Sequence, residues 1–296
     1  MTSQPPWLRP WLKGQARQVN RLRWIRKART VAESEAPHTR VQALRYVLTD
    51  PELDTFSYEL ANPTELAEAL TGITGLPAAE VTTLFDEARH DRVLADRIRR
   101  GSRWNFGVKR QPPIGRHLAA YAITRALQPA TVAEIGVRFG LGSVVLLRAL
   151  ERNADDGHPG ELVGVDIDPY AGTLVAPGTP GWRFVTGSSP DILTTALAER
   201  RIGFLISDSV PDERVTTAEV IAALQAASLP LVVMQSGWNL VLPDICDAAG
   251  IDWVRTVDRP VAHIGAGRQA FYARFDTPAQ VADALQVVHR CTSLPD

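Results

Sequence analysis

The twenty residues from Thr131 to Leu150 constrain the fold of this chain more than any other stretch. An apolar run ends at Glu134 and Gly136, Gly140 and Gly142 follow, and the next apolar residues have helical spacing. This pattern predicts a buried strand, a glycine turn and a helix. Glycines let a backbone lie against a ligand, and the free N–H groups of a helix start suit a carboxylate or phosphate. The stretch therefore predicts a binding site of the nucleotide type.

The spacing of these glycines distinguishes three kinds of loop. A phosphate-binding loop needs a Lys after its last glycine, and no Lys follows a glycine in this stretch. A dinucleotide-binding loop needs a third glycine where Val145 stands. The spacing that remains is Glu-x-Gly-x-x-x-Gly-x-Gly, from Glu134 to Gly142. It resembles the first motif of class I S-adenosylmethionine-dependent methyltransferases.

An acidic residue ends the next predicted strand. Residues 161–170 read ELVGVDIDPY, in which a short apolar strand ends at Asp166 and Asp168 follows. A carboxylate at a strand tip beside a glycine loop can accept hydrogen bonds from both hydroxyls of a ribose. An Asp-x-Asp-Pro sequence is also common in plain turns. The glycine loop upstream favours the nucleoside site.

The resemblance to class I methyltransferases covers residues from about 112 to 275 and implies S-adenosylmethionine as the cofactor. In that family the glycine loop and the residues after the strands surround the cofactor. The residues so implied are Glu134, Gly136, Val137, Arg138, Gly140, Gly142, Ser143, Asp166, Ile167, Ser188, Asp208 and Ser209.

Strands and helices alternate through the second half of the chain. Further strands are predicted at residues 183–185, 202–206, 229–234, 253–257 and 269–274. This alternation implies a parallel sheet with helices on both faces and a ligand at the strand carboxyl ends. In the fold that the chain resembles, the sixth strand is parallel to the others and the last runs back beside it. We expect an α/β, doubly wound, mostly parallel seven-stranded sheet of the Rossmann-like methyltransferase type, with an N-terminal helical extension.

Three regions are expected along the chain. Residues 1–30 contain eight basic and no acidic residues and form a basic amphipathic arm. Residues 31–110 are helical without visible chemistry, and residues 111–296 form the methyltransferase domain. The arm would pack against protein, or else make a peripheral contact with an anionic membrane. By resemblance, the helical extension covers the cofactor or pairs subunits, so a homo-oligomer is expected.

Two helix starts have capping sequences. Asn62 and Glu65 flank a Pro at the first helical position, which predicts a capping box. Thr277 and Gln280 predict a cap for the last helix of the chain.

Within the methyltransferases, Asp208 after the fourth strand and the segment PELDTFSYELANPTELA at residues 51–67 resemble the bacterial macrocin and rhamnosyl O-methyltransferase group. That group usually has a His three residues after the Asp, where this chain has Pro211. Its metal-dependent members have acids after the fifth strand, where Gln235 and Ser236 stand. A divalent cation needs several converging oxygen ligands, so no metal is expected.

Methyl transfer to a hydroxyl needs a base, and two residues remain as candidates. Asp208 would stand beside the methyl group, or would instead bind the amino group of the donor. His263 lies in the connection 258–268, where it would act as a base or be a surface histidine. The residues expected to bind the acceptor are Trp238, Asn239 and His263.

Four basic residues precede the core, namely Lys109, Arg110, Arg116 and His117. They would hold the methionine carboxylate or an acidic substrate, or would simply be solvated.

The expected function is O-methylation of a small secondary metabolite or sugar in bacterial natural product biosynthesis. Two cysteines without a partner motif indicate a reducing compartment, so a cytoplasmic protein is expected. No apolar run approaches membrane-spanning length, and no nucleic-acid partner is expected. The alternatives are methylation of nitrogen or of a peptide, and a degenerate fold that binds the cofactor as a regulatory or assembly subunit.

Overall fold

The computed structural model describes residues 58–101, 114–187, 192, 201–209, 212–237, 239–261 and 268–292. The features that lie outside these residues are the predicted basic arm (1–30), Lys109, Arg110, Ser188, Pro211, Trp238 and His263. Within the described residues, no helix is long and apolar enough to cross a membrane.

Helices precede a sheet of seven strands. The helices before the sheet are α1 (Pro63–Ala69), α2 (Thr71–Thr74), α3 (Ala78–His90), α4 (Arg92–Gly101) and α5 (His117–Leu127). The strands are β1 (Thr131–Ile135), β2 (Glu161–Asp166), β3 (Trp182–Thr186), β4 (Ile202–Ser207), β5 (Ala227–Ser236), β6 (Trp253–Val257) and β7 (Gln269–Phe275). The later helices are α6 (Leu141–Asp155), α7 (Glu213–Gln225), α8 (Val241–Ala249) and α9 (Pro278–Thr292).

The strand order in the sheet is β3-β2-β1-β4-β5-β7-β6. Strands β1 to β5 pair in parallel, and β7 is antiparallel to both β5 and β6. The predicted methyltransferase-type sheet is therefore confirmed, with strand ends within two residues of those expected.

The core lies on both faces of the sheet because successive strand residues point in opposite directions. Val132 of β1 belongs to a cluster with α3, α5 and α6. Its neighbour Ala133 belongs to a second cluster with α7, α8 and α9. Every residue of β1 and β4 is buried, as expected for parallel strands covered on both sides.

The described N-terminal helices pack directly on the sheet domain. Phe85 of α3 is fully buried in the same cluster as α5 and α6. Asp91 is buried between α3 and α4 and accepts hydrogen bonds from Arg148 (2.7 Å) and Arg152 (3.0 Å) of α6. The carboxylate therefore anchors these helices to the helix that follows the glycine loop.

The two predicted caps have different outcomes. Gln280 donates its backbone N–H to Thr277 Oγ1 (3.3 Å), so the cap of α9 is confirmed. The predicted start of α1 is confirmed, with Asn62 as the N-cap residue and Pro63 as the first helical residue, but the capping box is wrong because the Asn62 side chain makes no cap hydrogen bond. Its amide instead donates to Val257 O (3.0 Å) and accepts from the backbone N–H of Arg259 (2.9 Å). The Asn62 side chain therefore bonds to backbone groups at and just after the end of β6, and it connects α1 to that part of the chain.

Candidate active site

A pocket opens at the carboxyl ends of β1 and β4. The strand order reverses between these strands, and open α/β sheets bind their ligands at such a point. The empty space among the lining residues is about 400 Å³ when the open solvent at the mouth is included. The lining residues are Arg116, His117, Glu134, Gly136, Val137, Arg138, Phe139, Leu141, Gly142 and Asp208.

Two of the predicted glycines allow the walls of this pocket to come close together. Gly136 has a φ of +88°, and a Cβ there would stand 2.2 Å from the backbone oxygen of Asp208. A Cβ at Gly142 would stand 2.2 Å from Glu134 Oε1. The glycine loop is thus in contact with the tip of β4 and with the carboxyl of β1. Gly140 is the residue before α6.

Glu134 and Ser143 face each other inside the protein. Both are buried, and the Ser143 hydroxyl donates a hydrogen bond to Glu134 Oε2. Burial raises the pKa of the Glu134 carboxyl to about 8, although the hydrogen bond from Ser143 lowers it. Below that pH, Glu134 therefore keeps its proton and is a neutral part of the pocket wall.

Asp166 is held at the tip of β2 by two backbone groups. The N–H of Arg138 donates to Oδ2 (2.8 Å), and the N–H of Asp168 donates to Oδ1 (2.8 Å). Each carboxylate oxygen can accept a further hydrogen bond, and the side chain is half-buried. Its neighbour Ile167 is 76% exposed, the largest value among the large exposed apolar side chains of the described residues.

Arg116 and Asp208 form an ion pair at the opposite wall. Arg116 Nη2 donates to Asp208 Oδ2 (2.6 Å) and to Ser236 Oγ (2.7 Å). The Arg116 side chain is 5% exposed and that of Asp208 is 31% exposed. Burial alone would lower the pKa of Arg116, but Asp208 raises it overall. The predicted basic residue and the predicted base thus lie together, joined across α5, β4 and β5.

His117, the first residue of α5, also lines the pocket. Its Nε2 atom is buried and has no hydrogen-bond partner within the described part of the chain. Burial, helped by the charge of Arg116, lowers the pKa of His117 to about 3. The imidazole is therefore neutral at physiological pH and offers a polar atom to a ligand.

A buried amide organises the tip of β5. Gln235 donates from Nε2 to Asn239 O (2.8 Å) and to its side-chain oxygen, and its Oε1 accepts from the N–H of Leu242 (2.7 Å). Asn239 Nδ2 donates to Thr216 Oγ1 (3.1 Å). Asn239 therefore lies at the strand tip, as predicted, but its side chain is bonded to protein groups.

Of the remaining predicted residues, some line the pocket and one is exposed outside it. Ser209 is exposed, and its hydroxyl donates to Glu219 Oε1 (2.8 Å). Val137 and Arg138 line the pocket. Among the residues that the structure describes, no group of three or more His, Cys, Asp or Glu could hold a metal ion.

Sequence reasoning missed Glu219 and the structural role of Gln235. Both are fully buried polar residues. Glu219 accepts a hydrogen bond from Ser207 at the end of β4, and Gln235 bonds to the turn that follows its own strand, β5. A signal for Glu219 exists, because it is an acidic residue within the otherwise apolar run of α7. The signal for Gln235 is weaker, since its partners depend on the turn that follows β5.

Residues 133–230, about one third of the chain, match the model of a family described as "Methyltransferase domain". The matched segment begins within β1 and contains the glycine loop and strands β2 to β4. The class of enzyme expected from the sequence, an S-adenosylmethionine-dependent methyltransferase, is the class that this domain indicates. A search of curated protein sequences finds no match.

Several solved structures are similar in fold. The cofactor-bound protein Rv0187 from MTB has 17% identity and a TM-score of 0.44, covering 74% of this chain and 100% of its own. The O-methyltransferase TomG from Streptomyces achromogenes, solved with SAM, has 14% identity and a TM-score of 0.41, with coverage of 82% and 100%. An O-methyltransferase from Bacillus cereus, solved with SAH, has 12% identity and a TM-score of 0.43, with coverage of 78% and 100%. At these identities and TM-scores, the likenesses carry no weight for the activity of this chain.

Proposed function

We propose that this chain transfers a methyl group from S-adenosylmethionine to an oxygen of a small molecule. The observation that carries the proposal is the arrangement around the glycine loop. His117, whose Nε2 has no partner among the described residues, and Gly142 line the pocket at the switch point of the sheet, and Asp166 is bonded to the backbone of the lining residue Arg138. The matched methyltransferase domain supports the same cofactor.

The residues present fit an adenosyl group. The Asp166 carboxylate is fixed by two N–H groups and has remaining lone pairs for two ribose hydroxyls. Exposed Ile167 would gain contact with a flat apolar ring, and covering apolar area is favourable by about 25 cal/mol per Å². Asp166 would thus bind the ribose, and Ile167 would contact the adenine ring.

The pocket beside the glycine loop fits the amino-acid part of the cofactor. Within the described ranges, His117 Nε2 has no protein partner, and a buried polar atom of this kind is costly unless a ligand satisfies it. The N-terminus of α6 follows Gly140 and provides N–H groups for a carboxylate. Asp208, on the other wall, would attract the cationic groups of the donor.

The chain's contribution to the transfer would be mainly positioning. When bound, S-adenosylmethionine supplies a methyl group activated by a sulfonium sulfur. The acceptor oxygen must approach in line with the breaking carbon–sulfur bond, and holding two reactants in place can supply about 7–11 kcal/mol of the barrier. The tips of β4 and β5 would form the acceptor side, because Asp208 and Ser236 lie there on either side of Arg116.

The acceptor hydroxyl must also lose a proton, for which Asp208 and His263 remain the proposed bases. His263→Ala would lower turnover by roughly 10²–10⁴ if His263 takes the proton, with unchanged cofactor affinity. Asp208→Asn would lower turnover alone if Asp208 is the base, and would weaken donor binding if it is a donor contact. Near-normal turnover of both variants would contradict both assignments and favour an acceptor that needs no base, such as a neutral amine.

The proposed activity is tested by incubating the full chain with S-adenosylmethionine carrying a labelled methyl group. Separate pools of phenols, catechols, sugars, amines and short peptides serve as acceptors, and the label is located in the product by mass spectrometry. We expect label on oxygen in one of the first three pools. Label only on nitrogen or on a peptide would contradict O-methylation and support the alternative acceptor classes.

A second candidate function is cofactor binding without transfer, in a regulatory or assembly subunit. The ion pair between Asp208 and Arg116 favours it. Asp208 is one of the proposed bases, and its Oδ2 atom is already bonded to Arg116 Nη2 at 2.6 Å. Tight binding of S-adenosylmethionine without label transfer to any pool would support this candidate. The role in natural product biosynthesis, the cytoplasmic location and the homo-oligomer remain predictions.

A further inference from the structure

Glu219 has an unusual environment for a carboxylate. It lies in the second turn of α7, and its relative exposure is 0%. Its neighbours on the helix, Val220 and Ala223, are apolar and equally buried. Burial of a carboxylate costs several kcal/mol unless hydrogen bonds compensate, and apolar residues of similar size often stabilise a core better. Stability alone therefore gives little reason for a Glu at this position.

The two oxygens of Glu219 bond to the two residues that flank Asp208. Ser207 Oγ donates to Oε2 (2.7 Å), and Ser209 Oγ donates to Oε1 (2.8 Å). Residues two apart along an extended chain point to the same side, and the residue between them points to the other. Glu219 thus holds the backbone of β4's tip from the side opposite to the Asp208 carboxylate.

The opposite side of this tip is held as well. Arg116 bonds to the Asp208 carboxylate (2.6 Å), and the backbone N–H of Asp208 donates to Ile135 O (3.0 Å). The Asp208 carbonyl lies so close to Gly136 that a Cβ there would approach it to 2.2 Å. A shift of β4's tip by a few tenths of an ångström would therefore change the pocket wall and the contact with the glycine loop.

From this geometry we infer that Glu219 is a positioning residue, which sets the place of Asp208 in the pocket through Ser207 and Ser209. The inference rests on the proposed function, since the ligand whose binding it tunes is the methyl donor. Glu219 does not line the pocket, so its influence on the ligand is indirect.

The test is a double-mutant cycle on donor binding. Glu219→Gln, Asp208→Asn and the double variant are titrated with S-adenosylmethionine by calorimetry, well below their melting temperatures. We expect each single variant to bind about tenfold more weakly and the double variant to match Asp208→Asn alone, because residues that act through one another are not additive. An effect of about a hundredfold in the double variant would overturn the inference, as would an unchanged affinity of Glu219→Gln or of Asp208→Asn.

Two further variants separate positioning from loss of stability. Asn153→Ala removes another fully buried polar side chain, at the far end of α6; it should lower the melting temperature and leave donor affinity unchanged. Ser207→Ala removes only one of the two hydroxyls, so it replaces Glu219→Gln if that variant does not fold, and we expect about a threefold loss of affinity. Unchanged affinity in Ser207→Ala, or equal losses in Asn153→Ala and Glu219→Gln, would contradict positioning. A wild-type chain that does not bind S-adenosylmethionine would overturn the proposed function itself.

Discussion

Two carboxylates stand on either side of β1, and the protein holds them in different ways. Asp166, at the tip of β2, accepts hydrogen bonds from backbone N–H groups of the glycine loop and of its own turn. Asp208, after β4, is held by side chains and backbone groups from α5, β1 and, through two serines, α7. The position of the Asp166 carboxylate therefore depends on local backbone geometry, whereas that of Asp208 depends on how elements distant in sequence pack.

This difference has a functional consequence. A carboxylate fixed by backbone groups keeps its position when side chains vary, which suits the unchanging ribose of a cofactor. A carboxylate fixed by side chains can be moved by substitutions elsewhere, and under our proposal such substitutions would change the contact of Asp208 with the donor. Substitutions can disturb the contact between the glycine loop and Asp208, or the surroundings of each carboxylate separately.

The largest effect is expected at Gly136, where the glycine loop touches the carbonyl of Asp208. In Gly136→Ala, a Cβ would stand 2.2 Å from that oxygen, at a φ of +88°. Strain at such a φ costs about 1–3 kcal/mol, and overpacking adds about 1–3 kcal/mol. We expect unfolding by urea to show a loss of about 3–5 kcal/mol. As a control, Gly157→Ala has a similar φ (+91°) and open space around the Cβ, so it should lose only the strain contribution. Equal losses in the two variants would contradict the proposed contact.

A somewhat smaller effect is expected when the partner of Asp208 is removed. Arg116→Met keeps most of the buried side-chain volume and leaves the carboxylate without its guanidinium. Breaking a buried pair costs about 3–5 kcal/mol, but Asp208 is 31% exposed and can regain water, so we expect about 2–3 kcal/mol. The exposed Arg214 of α7 gives the control Arg214→Met, for which urea unfolding should show little change.

The parts of the site differ in how well the sequence predicts them. The glycine loop and Asp166 were predicted because their spacing and strand-tip position are local features of the chain. The pairing of Arg116 with Asp208 joins residues 92 positions apart, so no local spacing indicates it. The hydrogen bonds from Ser207 and Ser209 to Glu219 likewise depend on the packing of α7. The capping prediction at Asn62 was wrong for the same reason, since residues near 257–259 bind its side chain.

The third prediction concerns the locally held carboxylate. Asp166→Ala should weaken binding of S-adenosylmethionine by about 1.5–3 kcal/mol, the usual loss for hydrogen bonds to a charged group, with little loss of stability. Asp252→Ala removes an exposed acid before β6, at the opposite edge of the sheet, and serves as the control in calorimetry. Equal affinities of the two variants would show that Asp166 does not contact the donor.

The smallest effect is expected from Glu134, the carboxyl between the two sites. Its pKa is raised to about 8 in the folded chain from an ordinary 4.5, so the unfolded chain releases this proton first and stability falls as pH rises from 4.5 to 8. His117, with its pKa lowered to about 3 from 6.5, has the opposite effect, but only below pH 6.5. Between pH 6.5 and 8, the His117 contribution therefore fades, while that of Glu134 persists.

We expect the ligand-free protein to lose at most about 1.4 kcal/mol of stability per pH unit through Glu134 in that window. Glu134→Gln should show a shallower decline from pH 6.5 to 8 when melting is followed by calorimetry. The same slope in both proteins would contradict the assignment of a protonated Glu134.

Titration of the wild-type chain with S-adenosylmethionine, S-adenosylhomocysteine and NAD tests the central claim most directly. The account predicts one binding site for each of the first two ligands, competition between them, and weaker binding of both in Asp166→Ala. Because the glycine spacing lacks the third glycine of a dinucleotide loop at Val145, NAD should bind far more weakly. Preferred binding of NAD, or no binding of either S-adenosyl ligand, would contradict the account.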